Sequence, residues 1–69
     1  MQIVKKAVNS NGIDRMTLAP HRKVKDWYEI SHYRNNECWA SVSDSNYEML
    51  NEVFMNEVKE PSWKELERN

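Results

Sequence analysis

Val24-Lys25-Asp26-Trp27-Tyr28-Glu29-Ile30-Ser31-His32-Tyr33-Arg34-Asn35-Asn36-Glu37-Cys38-Trp39-Ala40-Ser41-Val42-Ser43 is the stretch whose reading decides the fold. Tyr28 and Ile30 alternate with Trp27, Glu29 and Ser31, and Cys38, Ala40 and Val42 alternate with Trp39, Ser41 and Ser43. A period of two on both sides of an Asn-Asn pair predicts a β-hairpin. Parity then sets its register. A two-residue loop, Asn35-Asn36, would place Ile30 opposite Ser41 and Glu29 opposite Val42, mixing apolar and polar on each face. A three-residue loop, Asn35 to Glu37, pairs Ile30 with Val42 and His32 with Ala40. Slipping by one residue exchanges the faces, so the apolar match favours the odd loop.

That register predicts a core face of Val24, Tyr28, Ile30, Cys38, Ala40 and Val42. The opposite face carries Trp27, Glu29, Ser31, Tyr33, Trp39 and Ser41, with Tyr33 directly across from Trp39. Large aromatics mixed with polar residues make this a candidate binding surface.

Upstream, Gln2 to Val8 reads as a first strand, and Asn9-Ser10-Asn11-Gly12 as a turn, since Asn and Gly tolerate positive φ. Ile13 to Pro20 is ambiguous between a short strand and a covering loop. Downstream, Ser45-Asn46-Tyr47-Glu48 has the form of a capping box. It predicts a helix from about Asn46 to Lys59, stopped by Pro61. At 100° per residue its apolar stripe is Tyr47, Leu50, Val53, Phe54 and Val58, with Glu48, Glu52, Met55, Asn56 and Lys59 on the outer side. Glu57 falls inside the apolar arc, where a charge is costly unless it lies at an edge. Ser62-Trp63-Lys64-Glu65 repeats the capping pattern and predicts a last helical turn. The expectation is a single α+β domain over 1–69: a small two-layer fold, with a three-stranded, mainly antiparallel sheet, one amphipathic helix on one face and a short C-terminal helical turn.

Composition limits the function. The 69 residues include six Val, three Ile, three Leu and one Phe, about 19% of the chain. That is close to the level below which highly charged chains stay disordered. Three Trp, three Tyr and four Met restore apolar bulk, and the net charge is only −1. One Gly excludes the Gly-rich phosphate loops, and one Cys excludes a disulfide framework and a four-Cys zinc site. No apolar run approaches the roughly 18 residues of a membrane span, and no signal-peptide h-region is present, so the chain reads as cytoplasmic. Net charge conceals asymmetry: residues 1–34 carry +4 and residues 35–69 carry −5.

Chemistry-bearing groups are sparse. Cys38 and His32 lie close in the predicted hairpin and can be drawn as nucleophile and base, but no third group orients them. His21, His32, Cys38 and an acid have no metal-ligand spacing, and no motif implies a cofactor. The reading is therefore non-enzymatic: a module that binds another protein and inhibits or modulates it. Its candidate residues are Trp27, Tyr33 and Trp39, Arg34 at the rim, and Glu48, Glu52 and Met55 on the helix, since interfaces favour Trp, Tyr, Met and Arg. A homodimer through the exposed sheet face is a variant. The alternative is single-stranded nucleic acid on a basic, aromatic face of Arg22, Lys23, Lys25, Trp27, Tyr33 and Trp39, against which stands the pI of about 6.1. A short, Asn-rich, Gly-poor chain of this kind has the profile of a phage- or plasmid-type accessory protein.

Overall fold

Asn35 and Asn36 both adopt left-handed backbone, with φ of 52° and 69°. Positive φ at two successive positions is the signature of the tight hairpin turn whose twist matches that of its strands, and Asn tolerates it better than other non-Gly residues. In the computed structural model, which describes residues 4–66, this turn joins β3 (Tyr28–Arg34) to β4 (Glu37–Asp44). The loop is thus two residues long, not three. The apolar pairs expected from parity are nevertheless present: Ile30 faces Val42 and His32 faces Ala40. Both hold because β4 contains one extra residue. Arg34 pairs with Glu37 and Tyr33 with Cys38, then the register shifts and Trp39 stands at a β-bulge.

The strands outside this hairpin correct the expected three-stranded sheet. β1 (Lys5–Asn9), β2 (Asp14–Pro20) and β5 (Trp63–Leu66) complete a five-stranded sheet in the order β4-β3-β2-β1-β5, and every neighbouring pair is antiparallel. The ambiguous Ile13 to Pro20 stretch supplies the central strand. Met16, Thr17 and Leu18 are consecutively buried there, a run without the alternation that marks a half-exposed strand.

The expected C-terminal helical turn is instead β5. After Pro61, Trp63 to Leu66 pair with Asn9 to Lys6, and Ser10 N–H donates to the Ser62 carbonyl at 2.7 Å. Four residues cannot repay the cost of a helix nucleus, whereas the open edge of β1 offers ready-made backbone partners.

β2 and β3 are joined by residues 21–27, so the run expected to begin at Val24 enters the sheet only at Tyr28. The His21 imidazole explains the delay. Its Nδ1 accepts from the backbone N–H groups of Lys23 and Val24 at 3.0 and 3.1 Å, and His21 N–H donates to the Trp27 carbonyl at 2.8 Å, closing the loop. At the β1–β2 turn, Gly12 takes φ 80° and donates to the Asn9 carbonyl.

α1 (Tyr47–Val58) crosses one face of the sheet. Its cap is Asn46, not Ser45: Asn46 Oδ1 accepts from Met49 N–H at 3.1 Å. Leu50 and Phe54 meet Ala7, Met16, Leu18 and Ile30 in the core, and Tyr28, Tyr47, Met55, Val58 and Trp63 close its margins. Tyr28 and Tyr47 meet edge to face at 4.9 Å. Two helix positions differ from the expected stripe. Val53 is 48% exposed, and Met55 is half-buried with the Lys5 ammonium 3.4 Å from its sulfur. The buried arc is therefore rotated toward β1.

Candidate functional site

The bulge decides which way the hairpin aromatics point. Trp39 is held on the helix-covered side, 5.6 Å from the His32 ring between centroids, and remains 65% exposed. Tyr33 points to the uncovered face, where the Arg15 guanidinium lies 4.2 Å over its ring. Trp27 lies at the end of the 21–27 loop, 39% exposed. The aromatic patch expected from Trp27, Tyr33 and Trp39 is therefore divided among three places, and Tyr33 faces Cys38, not Trp39.

The same extra residue separates Cys38 from His32. Cys38 is exposed on the uncovered face with its Sγ 3.6 Å from the Ala40 carbonyl, so the expected core position of this thiol is corrected. A nucleophile–base pair does not form.

Arg34 is engaged rather than free at a rim. Its Nε donates to Asp14 Oδ1 at 2.8 Å and its Nη2 to Asp14 Oδ2 at 3.1 Å, a bidentate bridge between directly paired residues of β2 and β3. Asn11 Nδ2 adds a bond to Oδ2 at 2.7 Å. Hydrogen bonding from Arg34 and then Asn11 holds the Asp14 carboxyl below its usual value of 3.8, and the Asp14 partnership raises Arg34 in turn.

Around Trp39 the surface is concave on two sides. A crevice of about 210 Å³ is lined by Trp39, His32, Trp63, Glu57, Asn9 and Arg34 among others. An adjoining hollow of about 500 Å³ is bounded by Trp39, Arg34, Asn35 and Glu37. Glu57, flagged by its position in the apolar arc, lies exposed at this edge. One and two turns back along α1 stand Val53 and Met49, both exposed. Val42, also exposed, continues the apolar margin along β4. Glu48 and Glu52 are exposed on α1, whereas Met55 is turned to the core margin and leaves the expected surface. Reading the sequence did not find His32, Trp63, Val42, Met49 and Val53 as part of this surface. Only the misplaced Glu57 carried a signal.

Arg22, Lys23 and Lys25 are exposed on the 21–27 loop. Of these, Arg22 also lines a depression on the uncovered face. Among the described residues no group of three or more His, Cys, Asp or Glu stands close enough to hold a metal ion, and no helix is long and apolar enough to cross a membrane. Comparison with known proteins gives no match, whether to family models, to curated proteins or to solved structures.

Proposed function

We propose that this protein is a non-enzymatic module that binds another protein through the helix-side surface centred on Trp39, and modulates that partner by occupying its surface. The observation that carries the reading is the placement of Trp39: a bulge in an edge strand fixes the largest side chain type with 65% of its surface open to solvent. Exposed aromatic anchors bordered by apolar residues mark protein interfaces. Glu37 beside Trp39, and Glu48, Glu52 and Glu57 on the helix that carries Val53 and Met49, suit a partner whose contact is apolar at its centre and basic at its rim. Separation of Cys38 from His32 supports a non-catalytic role. A short accessory protein of phage or plasmid type, working in the cytoplasm, fits this size and surface.

A homodimer through the uncovered sheet face is disfavoured on charge. A two-fold contact there would set the cation-rich surface of Lys6, Arg15 and Lys64 against the same surface of the second copy.

Sixty-five per cent of a Trp side chain of roughly 250 Å² leaves about 160 Å² for a partner, worth at most about 4 kcal/mol at ~25 cal/mol/Å². Trp39→Ala is therefore expected to weaken binding by about 30-fold or more. The test is affinity capture from host lysate with wild type, Trp39→Ala and Tyr33→Ala, each checked for folding by urea denaturation. A partner kept by wild type and Tyr33→Ala but lost from folded Trp39→Ala supports the reading. Equal retention by all three refutes it.

A further inference from the structure

The geometry points to a second binding site on the opposite side of the molecule: the uncovered sheet face takes a single-stranded nucleic acid across β5, β1, β2 and β3. The strand ladder puts these side chains on one face. Val8 pairs with Arg15 and with Lys64, Arg15 with Tyr33, and Lys6 with Thr17. Directly paired residues share a face, so Lys6, Arg15, Lys64 and Tyr33 stand together opposite α1. Arg22 joins them at the rim of a depression of about 460 Å³ whose floor is Thr17 and Ser31. Both floor residues are more than nine-tenths buried and polar, so the floor of the depression presents hydroxyls rather than apolar side chains.

Charge on this face is one-sided. Among the described residues four cations, Lys6, Arg15, Arg22 and Lys64, stand against one acid, Glu29, which accepts from Ser43 Oγ at 3.4 Å. Among the described residues, the one ion pair in the protein is Arg34 with Asp14, so none of the four cations is neutralised by a carboxylate. The acids of α1 lie on the far side. The uncovered face therefore carries an excess of positive charge, and the acids of α1 stand away from it.

Spacing selects the ligand. With neighbouring strands ~4.8 Å apart, Arg15 and Lys64 lie roughly 10 Å from each other, and Lys6 sits one side-chain repeat, about 7 Å, along β1 from their row. A row of cations spaced along and across the strands in this way suits the successive charges of an extended polyanion. The stacked Arg15 and Tyr33 separate a nucleic acid from an acidic peptide, because a base can stack on a guanidinium plane or an aromatic ring and a carboxylate cannot. Thr17, Ser31 and Ser41 add hydroxyl donors beside that stack. This site goes beyond the protein-binding reading and uses neither Trp39 nor the acidic residues of α1. It also departs from the face expected from sequence: Arg22 and Tyr33 remain, and Lys6, Arg15 and Lys64 replace Lys23, Lys25, Trp27 and Trp39.

The probe is a fluorescein-labelled oligothymidylate of about 12 nucleotides, within the ~4–16 nucleotide range of single-strand sites. Fluorescence anisotropy is read at several salt concentrations. Four neutralised phosphates give a slope of log K against log salt of about −3, at roughly −0.7 for each. Lys6→Gln with Lys64→Gln, which keeps most of each aliphatic stem, is expected to make that slope shallower by about 1.4. Tyr33→Ala is expected to weaken binding about tenfold at unchanged slope. Trp39→Ala, the substitution that tests the protein-binding surface, should leave oligonucleotide affinity unchanged, so either reading can fail alone. Far-UV circular dichroism confirms the fold of each variant, and the lysine pair reports even where Tyr33→Ala loses structure. No salt-dependent binding by wild type overturns the proposal. So does binding that the lysine pair leaves untouched, or equal competition by polyglutamate of matched charge.

Discussion

Replacing Val53 and Met55 separately by Ala tests the rotation of α1, on which the positions of both the core and the exposed helix surface depend. Met55 is half-buried against the core margin, with the Lys5 ammonium against its sulfur. Truncating a fully buried Met costs about 2–5 kcal/mol, so half-burial gives a loss of about 1–2 kcal/mol. Val53 is 48% exposed. Its lost contacts amount to about 0.5 kcal/mol, and the better helix propensity of Ala returns a similar amount. Val53→Ala should thus be close to neutral, with Met55→Ala lower by about 1–2 kcal/mol. A chain of this size has a total stability of roughly 3.5–10 kcal/mol, so both variants stay folded. With a urea m-value of about 1 kcal/mol/M, the two midpoints should differ by about 1 M or more. Tryptophan fluorescence and far-UV circular dichroism should report the same midpoint. If Val53→Ala is as damaging as Met55→Ala, α1 presents a different stripe to the sheet. The apolar margin assigned to the partner surface would then be core.

Other outcomes follow from single residues. Gly12→Ala should cost about 1 kcal/mol in urea denaturation: a Cβ there meets nothing within 4 Å, so the loss comes from φ 80° alone, and an unchanged midpoint would contradict the turn. Asp14→Asn should lower the urea midpoint at neutral pH. Because the folded-state pKa of Asp14 is depressed, its contribution is present above the unfolded value of about 3.8 and is lost as pH falls through the folded value. The wild-type advantage should accordingly shrink below pH 3.8, and a pH-independent gap would argue against the Arg34 bridge. Cys38 should react with Ellman's reagent in the native protein without denaturant, as its exposure requires, whereas protection until unfolding would return it to the core.

How far the sequence discloses this structure varies by element. Parity could find the pairing of Ile30 with Val42 because an odd number of extra residues between them was the only way to match apolar faces. It could not place the odd residue. A three-residue loop and a two-residue loop with a bulge satisfy the same count, yet they send Cys38 and Trp39 to opposite sides. Asn35-Asn36 held the answer, since two residues tolerant of positive φ favour the tight turn. The central strand was ambiguous because its alternation, Arg15-Met16-Thr17-Leu18, spans only four residues before Ala19 and Pro20 break it, too short to separate a strand from a covering loop. Trp63 to Leu66 is too short to show any period, and its strand character comes from the β1 edge, a long-range partner. α1 itself was legible from the spacing of Leu50 and Phe54, and its exact rotation was not, because Val53 and Met55 are both apolar. At the candidate site, the surplus of aromatics was visible, but which face each one occupies depended on the bulge.

The pairing of β5 with β1 sets an order on the molecule's history. β1 to β4 are joined by successive hairpins and can associate as each emerges, because their contacts are local. β5 must return across the helix to Lys6 through Asn9, residues made more than fifty positions earlier. Until it does, β1 is an open edge, and the crevice beside Trp39 lacks one of its walls, since Trp63 and Asn9 both line it. A nascent chain can therefore display Trp39 and the hollow beside Arg34, Asn35 and Glu37, but not the crevice that Trp63 closes. The partner surface is complete only when β5 meets β1, so its full recognition is tied to completion of the fold.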